Sequence, residues 1–219
     1  MLGKSKGNMY GWVTHTYNPI KGKCSHDCVY CYMKMFPQKP IRLDETELKQ
    51  NLGEKNTIFV GSSTDMFAEN VPAEWIKTVL KKCRDFDRNT YLFQTKNPTR
   101  FEKFKEEYPT NTIFGITLET NREDNLHKAI SRQARVSWMT ATWMKKKMIT
   151  IEPILDFDLV PLVEMVRQVN PNWVNIGADS KNHHLPEPKM EKVWALITEL
   201  SKFTEVKQKH NLRRLLTTI

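Results

Sequence analysis

Cys24-Ser25-His26-Asp27-Cys28-Val29-Tyr30-Cys31 places three cysteines in a C-x3-C-x2-C loop. Three thiolates stop one short of the four that close an iron-sulfur cube, so one iron would remain free to bind a small molecule. A zinc site built from the three cysteines and His26 or His15 uses compatible donors. Structural zinc ligands, however, usually fall in two short pairs far apart in sequence. Disulfides fit less well, because no charged-then-apolar leader opens the chain and closely spaced odd thiols suit a reducing cytosol. Cys83 stands alone in the helical pattern Trp75, Ile76, Val79, Leu80, Cys83 and reads as a small buried hydrophobe.

Outward from this loop, apolar runs alternate with amphipathic stretches at intervals of roughly 30 residues, as repeated βα units do. The expected strands are Trp12 to Tyr17, Thr57 to Val60, Thr90 to Gln94, Thr112 to Leu118, Met148 to Ile151 and Trp173 to Ile176. The expected helices are Asp44 to Leu52, Ala73 to Arg84, Thr99 to Glu107, Arg122 to Ile130, Leu159 to Val169 and Lys189 to Lys202. Between the fourth helix and fifth strand, Ser131 to Lys147 reads as a short helix whose Trp138, Met139, Trp143 and Met144 pack the core. Lys207 to Leu216 reads as an amphipathic closing helix within a basic C-terminal segment, about 203-219. Six such units fit an α/β fold with a partial (β/α)6 TIM barrel of parallel strands, in one domain over 1-219.

At 219 residues the chain is long enough for a sizeable core, and its formal charge of +9 favours a polyanionic partner such as nucleic acid. No apolar run approaches the roughly 18 residues of a membrane span. A cytoplasmic protein with no membrane partner is expected.

The cysteine loop resembles the signature of the radical S-adenosylmethionine (radical SAM) superfamily, and Tyr30, just before the third cysteine, matches the aromatic residue that the family places beside adenine. The resemblance implies a 4Fe-4S cluster on Cys24, Cys28 and Cys31, S-adenosyl-L-methionine (SAM) on the open iron, a three-quarter TIM barrel, and flavodoxin or ferredoxin as reductant. In parallel βα folds the functional groups sit at the carboxyl ends of strands. There the resemblance assigns Asp65 to the methionyl ammonium and Ser63 or Thr64 to the carboxylate, in place of a glycine-rich loop. Thr95-Lys96 resembles the spore photoproduct lyase branch and related phage-encoded proteins, and puts Lys96 near the SAM carboxylate. Thr117 and Glu119 suit the ribose hydroxyls, since a carboxylate accepts two hydrogen bonds from a diol. Glu152 would orient substrate or pair with Lys96 or an arginine. Gly177 would let the backbone approach adenine, with Asp179 and Ser180 facing the site and His183 and His184 in the following loop.

The implied activity is reductive cleavage of SAM to a 5'-deoxyadenosyl radical that abstracts hydrogen from a substrate, with nucleic acid the leading substrate class. The lyase branch is expected to carry a hydrogen-donating cysteine near the second strand, where this chain has Ser62 and Ser63, so repair by that route is not expected. The alternative is a noncatalytic nucleic-acid-binding protein with a zinc-stabilised loop.

Overall fold

The computed structural model describes residues 2–181 and 183–217. Its strands are β1 (Gly3–Lys4), β2 (His15–Tyr17), a separate antiparallel pair β3 (Ile20–Lys21) and β4 (Arg42–Leu43), then β5 (Thr57–Val60), β6 (Thr90–Thr95), β7 (Thr112–Thr117), β8 (Lys147–Ile151), β9 (Trp173–Ile176) and β10 (Glu205–Gln208). The main sheet has eight strands in the order β1-β2-β5-β6-β7-β8-β9-β10. Every neighbouring pair from β2 to β10 is parallel, and β1 is antiparallel to β2. The helices are α1 (Glu45–Leu48), α2 (Ala73–Arg84), α3 (Thr99–Glu102), α4 (Arg132–Met139), α5 (Leu159–Val169), α6 (Met190–Ser201) and α7 (Arg213–Leu216). This is the expected α/β partial barrel, with an open sheet and a strand added at each edge.

Strand side chains alternate between faces, and here the two faces differ in chemistry. One carries Ile58, Val60, Tyr91, Phe93, Phe114, Ile116, Ile149, Ile151, Val174 and Ile176, packed with Ile76, Val79, Leu80 and Cys83 of α2 and the apolar stripes of α5 and α6. The other starts apolar, where Phe59 aligns with Leu92 and Met148 with Trp173. Two residues further along it becomes polar, because Thr117 aligns with Thr150 and Thr150 with Asn175. Strands buried on both faces normally read as continuous apolar runs, so this polar row singles out the carboxyl end of the sheet as the candidate site. Residues 8–13 cross the same face: the Tyr10 hydroxyl donates to Gln94 Oε1 at 2.8 Å and Trp12 Nε1 donates to Asn175 Oδ1 at 3.3 Å.

Long amphipathic elements match their sequence patterns closely; α2 and α5 have the expected bounds, and α5 stops where Asn170 turns left-handed at φ 50°. Two segments differ. The helix expected over Arg122 to Ile130 is absent, and α4 begins at Arg132 instead. The backbone of 122–130 pairs with the cysteine loop, Val29 N donating to Leu126 O at 2.8 Å and Lys128 N to His26 O at 2.7 Å, so those groups are not used for helical bonds. The closing helix expected over Lys207 to Leu216 is split: β10 extends the sheet along β9, and a 3-10 turn at His210–Leu212 leads into the short α7. Lys207 and Lys209 take the polar face of the sheet, with Lys207 Nζ 4.6 Å from the Trp173 ring centroid. The expected helices Asp44 to Leu52 and Thr99 to Glu107 shorten to α1 and to α3 plus a 3-10 turn, Lys105–Glu107. In the inserted segment Met139 and Met144 are buried as expected, whereas Trp138 is exposed. Among the described residues no helix is long and apolar enough to cross a membrane.

Candidate active site

The cysteines lie on the loop joining β3 to β4, and glycine chemistry lets that loop close. Gly22 has φ 109°, and a Cβ there would sit 2.8 Å from Ile41 Cα, inside contact distance of the returning strand. Asn70 brackets the loop, accepting from Ser25 N at 3.0 Å and donating to Lys23 O at 3.1 Å. His26 is buried and fastens the loop to the strand ends. Its Nε2 lies 2.8 Å from Asp65 Oδ2, which also accepts from Thr95 Oγ1 at 2.8 Å and Lys96 N at 2.9 Å, while Asp65 Oδ1 accepts from Phe67 N at 2.9 Å. Burial opposes the charge of Asp65, but His26 and these donors outweigh it and hold the carboxyl below its usual range. Burial, reinforced by Asp65, pushes the Cys24 thiol up to about 11; burial also raises Cys28, against the opposing charge of Lys96. Three thiols on one loop are the donor set that a multi-iron cluster takes, one sulfur per iron. Among the described residues no three His, Cys, Asp or Glu side chains converge as ligands of a single metal ion.

Beside the loop lies a buried charge cluster centred on Glu119, just past β7. Its Oε2 accepts from Arg132 Nε and Arg135 Nη1, each at 3.1 Å, and both arginines are buried on α4. Its Oε1 accepts from the Tyr30 hydroxyl and faces Lys96 Nζ at 3.4 Å and His127 Nε2 at 3.8 Å. Burial alone would raise the pKa of Glu119; Lys96, His127, Arg135 and Arg132 instead hold it well below the ordinary value. Burial likewise opposes the charge on Lys96, but Cys28 and Glu119 outweigh it and keep the ammonium above its usual pKa. The carboxylate expected to meet a ribose is therefore enclosed by protein donors. It ties Tyr30 of the cysteine loop to α4 and to the end of β6.

A cavity of about 530 Å³ opens from this cluster along the polar end of the sheet, with Tyr30, Tyr32 and Ser62 toward the cysteine loop and Glu152, Asp179 and His183 toward β8 and β9. Glu152 pairs with neither Lys96 nor an arginine. Its Oε2 accepts from Lys209 Nζ at 2.6 Å, and its Oε1 from Asn8 Nδ2 at 2.8 Å and Asn211 Nδ2 at 3.3 Å. Gly177 makes room for that carboxylate, since a Cβ there would lie 2.7 Å from Glu152 Oε1. Because Glu152 is held from three sides, Gly177→Ala is expected to destabilise the protein by about 1–3 kcal/mol through overpacking. An unchanged melting temperature would show that Glu152 can move aside. His183 Nδ1 lies 2.6 Å from Asp179 Oδ1, and the pair forms part of the cavity wall. Burial works against the charge on Asp179, but His183 and two backbone donors prevail and lower its pKa.

Of the residues singled out in the sequence, Cys24, Cys28, Cys31, Tyr30, Asp65, Lys96 and Glu119 come together as one network. Thr117 joins it through its backbone oxygen, which accepts from Arg135 Nη1 at 2.8 Å, and its hydroxyl accepts from Gln94. Thr64 turns away to donate to Gly22 O at 2.9 Å, and Ser63 N donates to Asn18 Oδ1 at 3.0 Å. Glu152 and Gly177 form a second group across the cavity. Sequence reasoning missed His127, Arg132 and Arg135 as parts of the network and considered His26 only as a zinc ligand. The spacing of Arg132 and Arg135, three apart on a helix with buried Val136 and Met139, was the available signal for a charged pair turned inward.

Six solved chains match the fold, among them mutants of spore photoproduct lyase. Two of these superpose with TM-scores of 0.66 and 0.67 at 12% identity, covering 92% of this chain and 78% of the other. A double mutant with bound AdoMet and dinucleoside spore photoproduct gives 0.61 at 13% identity, covering 90% of this chain. This chain spans 64% of that double mutant's length. The likeness expected from the cysteine loop thus holds for the fold. No curated protein matches the sequence. The family described as protein of unknown function DUF5131 matches residues 8–207, from the segment that crosses the sheet through Glu119 to β10, and the chain belongs to that family.

Proposed function

We propose that this protein is a radical SAM enzyme whose Cys24, Cys28 and Cys31 hold a 4Fe-4S cluster. The observation that carries this reading is the position of the three-thiol loop, beside the carboxyl ends of parallel strands and at one end of the 530 Å³ cavity. A cluster bound there would deliver one electron to SAM and release a 5'-deoxyadenosyl radical for hydrogen abstraction. The protein's own part is electrostatic and positional. Lys96, 3.4 Å from Glu119 and with its pKa raised, against burial, by Cys28 and Glu119, offers its ammonium to a carboxylate such as that of SAM. Tyr30, fixed by its bond to Glu119, lines the cavity and offers an aromatic ring suited to adenine. On the loop after β5 the Ser62 hydroxyl, which donates to Asn18 Oδ1 at 3.1 Å and lines the cavity, can still accept from a polar group of SAM, whereas the backbone of Gly177 is engaged by Ile151 and Ile154. Asp65, expected to meet the methionyl ammonium, instead holds His26 and the Lys96 backbone in place, its oxygens already engaged by four donors.

The zinc alternative is disfavoured by the absence, among the described residues, of three His, Cys, Asp or Glu side chains that converge on one metal ion, His26 and His15 included. Substrate, reductant and a cytoplasmic setting follow the same reading: a nucleic-acid substrate, with flavodoxin or ferredoxin as electron donor. The test is anaerobic reconstitution with iron and sulfide. Broad visible absorbance that bleaches with dithionite, and 5'-deoxyadenosine formed from SAM, are expected. A colourless protein with one zinc per chain refutes the reading, and S-adenosylhomocysteine as the product would identify a methyl-transfer enzyme instead.

A further inference from the structure

The segment around and after the third cysteine leaves its large apolar side chains in solvent. Val29, Tyr32, Met35 and Phe36 are all exposed, Met35 at 65% and Phe36 at 54%, with Tyr32–Met35 forming one 3-10 turn. Isolated surface apolar residues need no explanation, but a cluster on one short loop marks an interaction site. Its surroundings are basic. Lys23, Lys34 and Lys128 lie 3.6, 3.1 and 3.4 Å from the same carboxylate, Asp27, so positive charge is in excess there. Lys39, exposed and beside Lys23 through its backbone oxygen, which accepts from Lys23 N at 3.0 Å, adds another cation. The patch also runs into the cavity, because Tyr32 belongs to both: it is exposed, its hydroxyl donates to Ser62 O at 3.2 Å, and it lines the wall that continues to Tyr10 and Phe59.

Resting on the reading of the cavity as the reaction site, we propose that this loop surface binds single-stranded nucleic acid. Met35 and Phe36 contact the faces of bases flanking the one that enters the cavity, and Lys23, Lys34, Lys39 and Lys128 take the phosphates. An acidic protein would be satisfied by the lysines alone. A phenyl and a thioether beside those lysines, followed by Tyr32 and an aromatic cavity wall, provide successive apolar faces suited to unstacked bases. Complementary charge and continuity with the cavity therefore select the polynucleotide.

The test uses the full, anaerobically reconstituted chain and a short fluorescent single-stranded oligodeoxynucleotide, with its duplex as comparison. Binding followed by anisotropy is expected to favour the single strand and to weaken with added salt as phosphate contacts require. The double substitution Met35→Ser and Phe36→Ser is expected to weaken it about tenfold, in line with the loss of a stacked base. Lys39→Gln, which removes no apolar contact, is expected to make the salt dependence shallower by about one unit of log–log slope. Retained cluster absorbance and SAM cleavage with dithionite check that the double variant is intact, since both altered side chains point into solvent. Unchanged oligonucleotide affinity in both variants, or affinity indifferent to salt, overturns the proposal. Slower reduction by flavodoxin with unchanged oligonucleotide affinity overturns it in favour of an acidic protein partner. Absence of a cluster in the wild type would refute the radical reading while leaving the binding result to stand separately.

Discussion

Glu119→Gln is expected to lower the stability of the fold by about 3–5 kcal/mol, the usual cost of leaving buried charges without their partner. The carboxylate faces Arg132, Arg135 and Lys96, and the glutamine amide can oppose none of their charge. Arg132 keeps Asp124 at 2.7 Å, but Arg135 and Lys96 have no other carboxylate within ion-pair distance among the described residues. Burial of Lys96 would then be opposed by one carboxylate fewer, which weakens the hold on its charge. For a chain of this size the melting temperature should fall by about 2–4 °C per kcal/mol, or roughly 6–20 °C in all. Circular dichroism melts would measure it. Tyr30→Phe removes a single donor and should cost about 1 kcal/mol, so the contrast between the two substitutions separates charge balance from hydrogen bonding. A glutamine variant within about 0.5 kcal/mol of the parent, the range of neutral surface changes, would mean that the cluster is not what holds the cysteine loop to α4.

The second large effect is on chemistry. Cys28→Ala is expected to abolish visible absorbance after reconstitution and to bring 5'-deoxyadenosine formation to background, with the far-ultraviolet circular dichroism unchanged. Cys28 is the buried member of the three and lies beside Lys96 and Glu119, so its loss removes the thiol that would hold the cluster on the side of the charged network. Cys83→Ala is the matched control. Cys83 is buried on α2 among Ile76, Val79 and Leu80, and burial pushes its thiol far up, so it should affect stability and leave iron content alone. If Cys28→Ala retains the chromophore, the three-cysteine reading fails.

How far the fold could be read in advance depended on where each segment satisfies its backbone. α2, α5, β5 and β9 use local hydrogen bonds or regular ladders, and their apolar periodicity was sufficient to bound them. Residues 122–130 have an adequate helical composition, yet their donors and acceptors are claimed by His26 and Val29 nearly a hundred positions away in the chain. β10 was equally hidden: alternating Glu205, Val206, Lys207 and Gln208 is a weak strand signal until β9 presents an unpaired edge.

The site divides in the same way. Cysteine identity and spacing, the polar residues at strand ends and the basic charge are written in the chain and need no partner to be recognised. What those end residues do is a matter of enclosure. Asp65 and Glu119 looked available for a ligand, but His26, Thr95, Tyr30, Arg132 and Arg135 occupy their lone pairs, and Gly177 makes room for Glu152. A carboxylate has few acceptor positions, and which donors fill them depends on contacts such as Tyr30 with Glu119, 89 residues apart. The chain by itself therefore determined the thiol donor set and the alternating α/β plan. Only the tertiary structure decided which polar groups hold the site together and which still face the cavity.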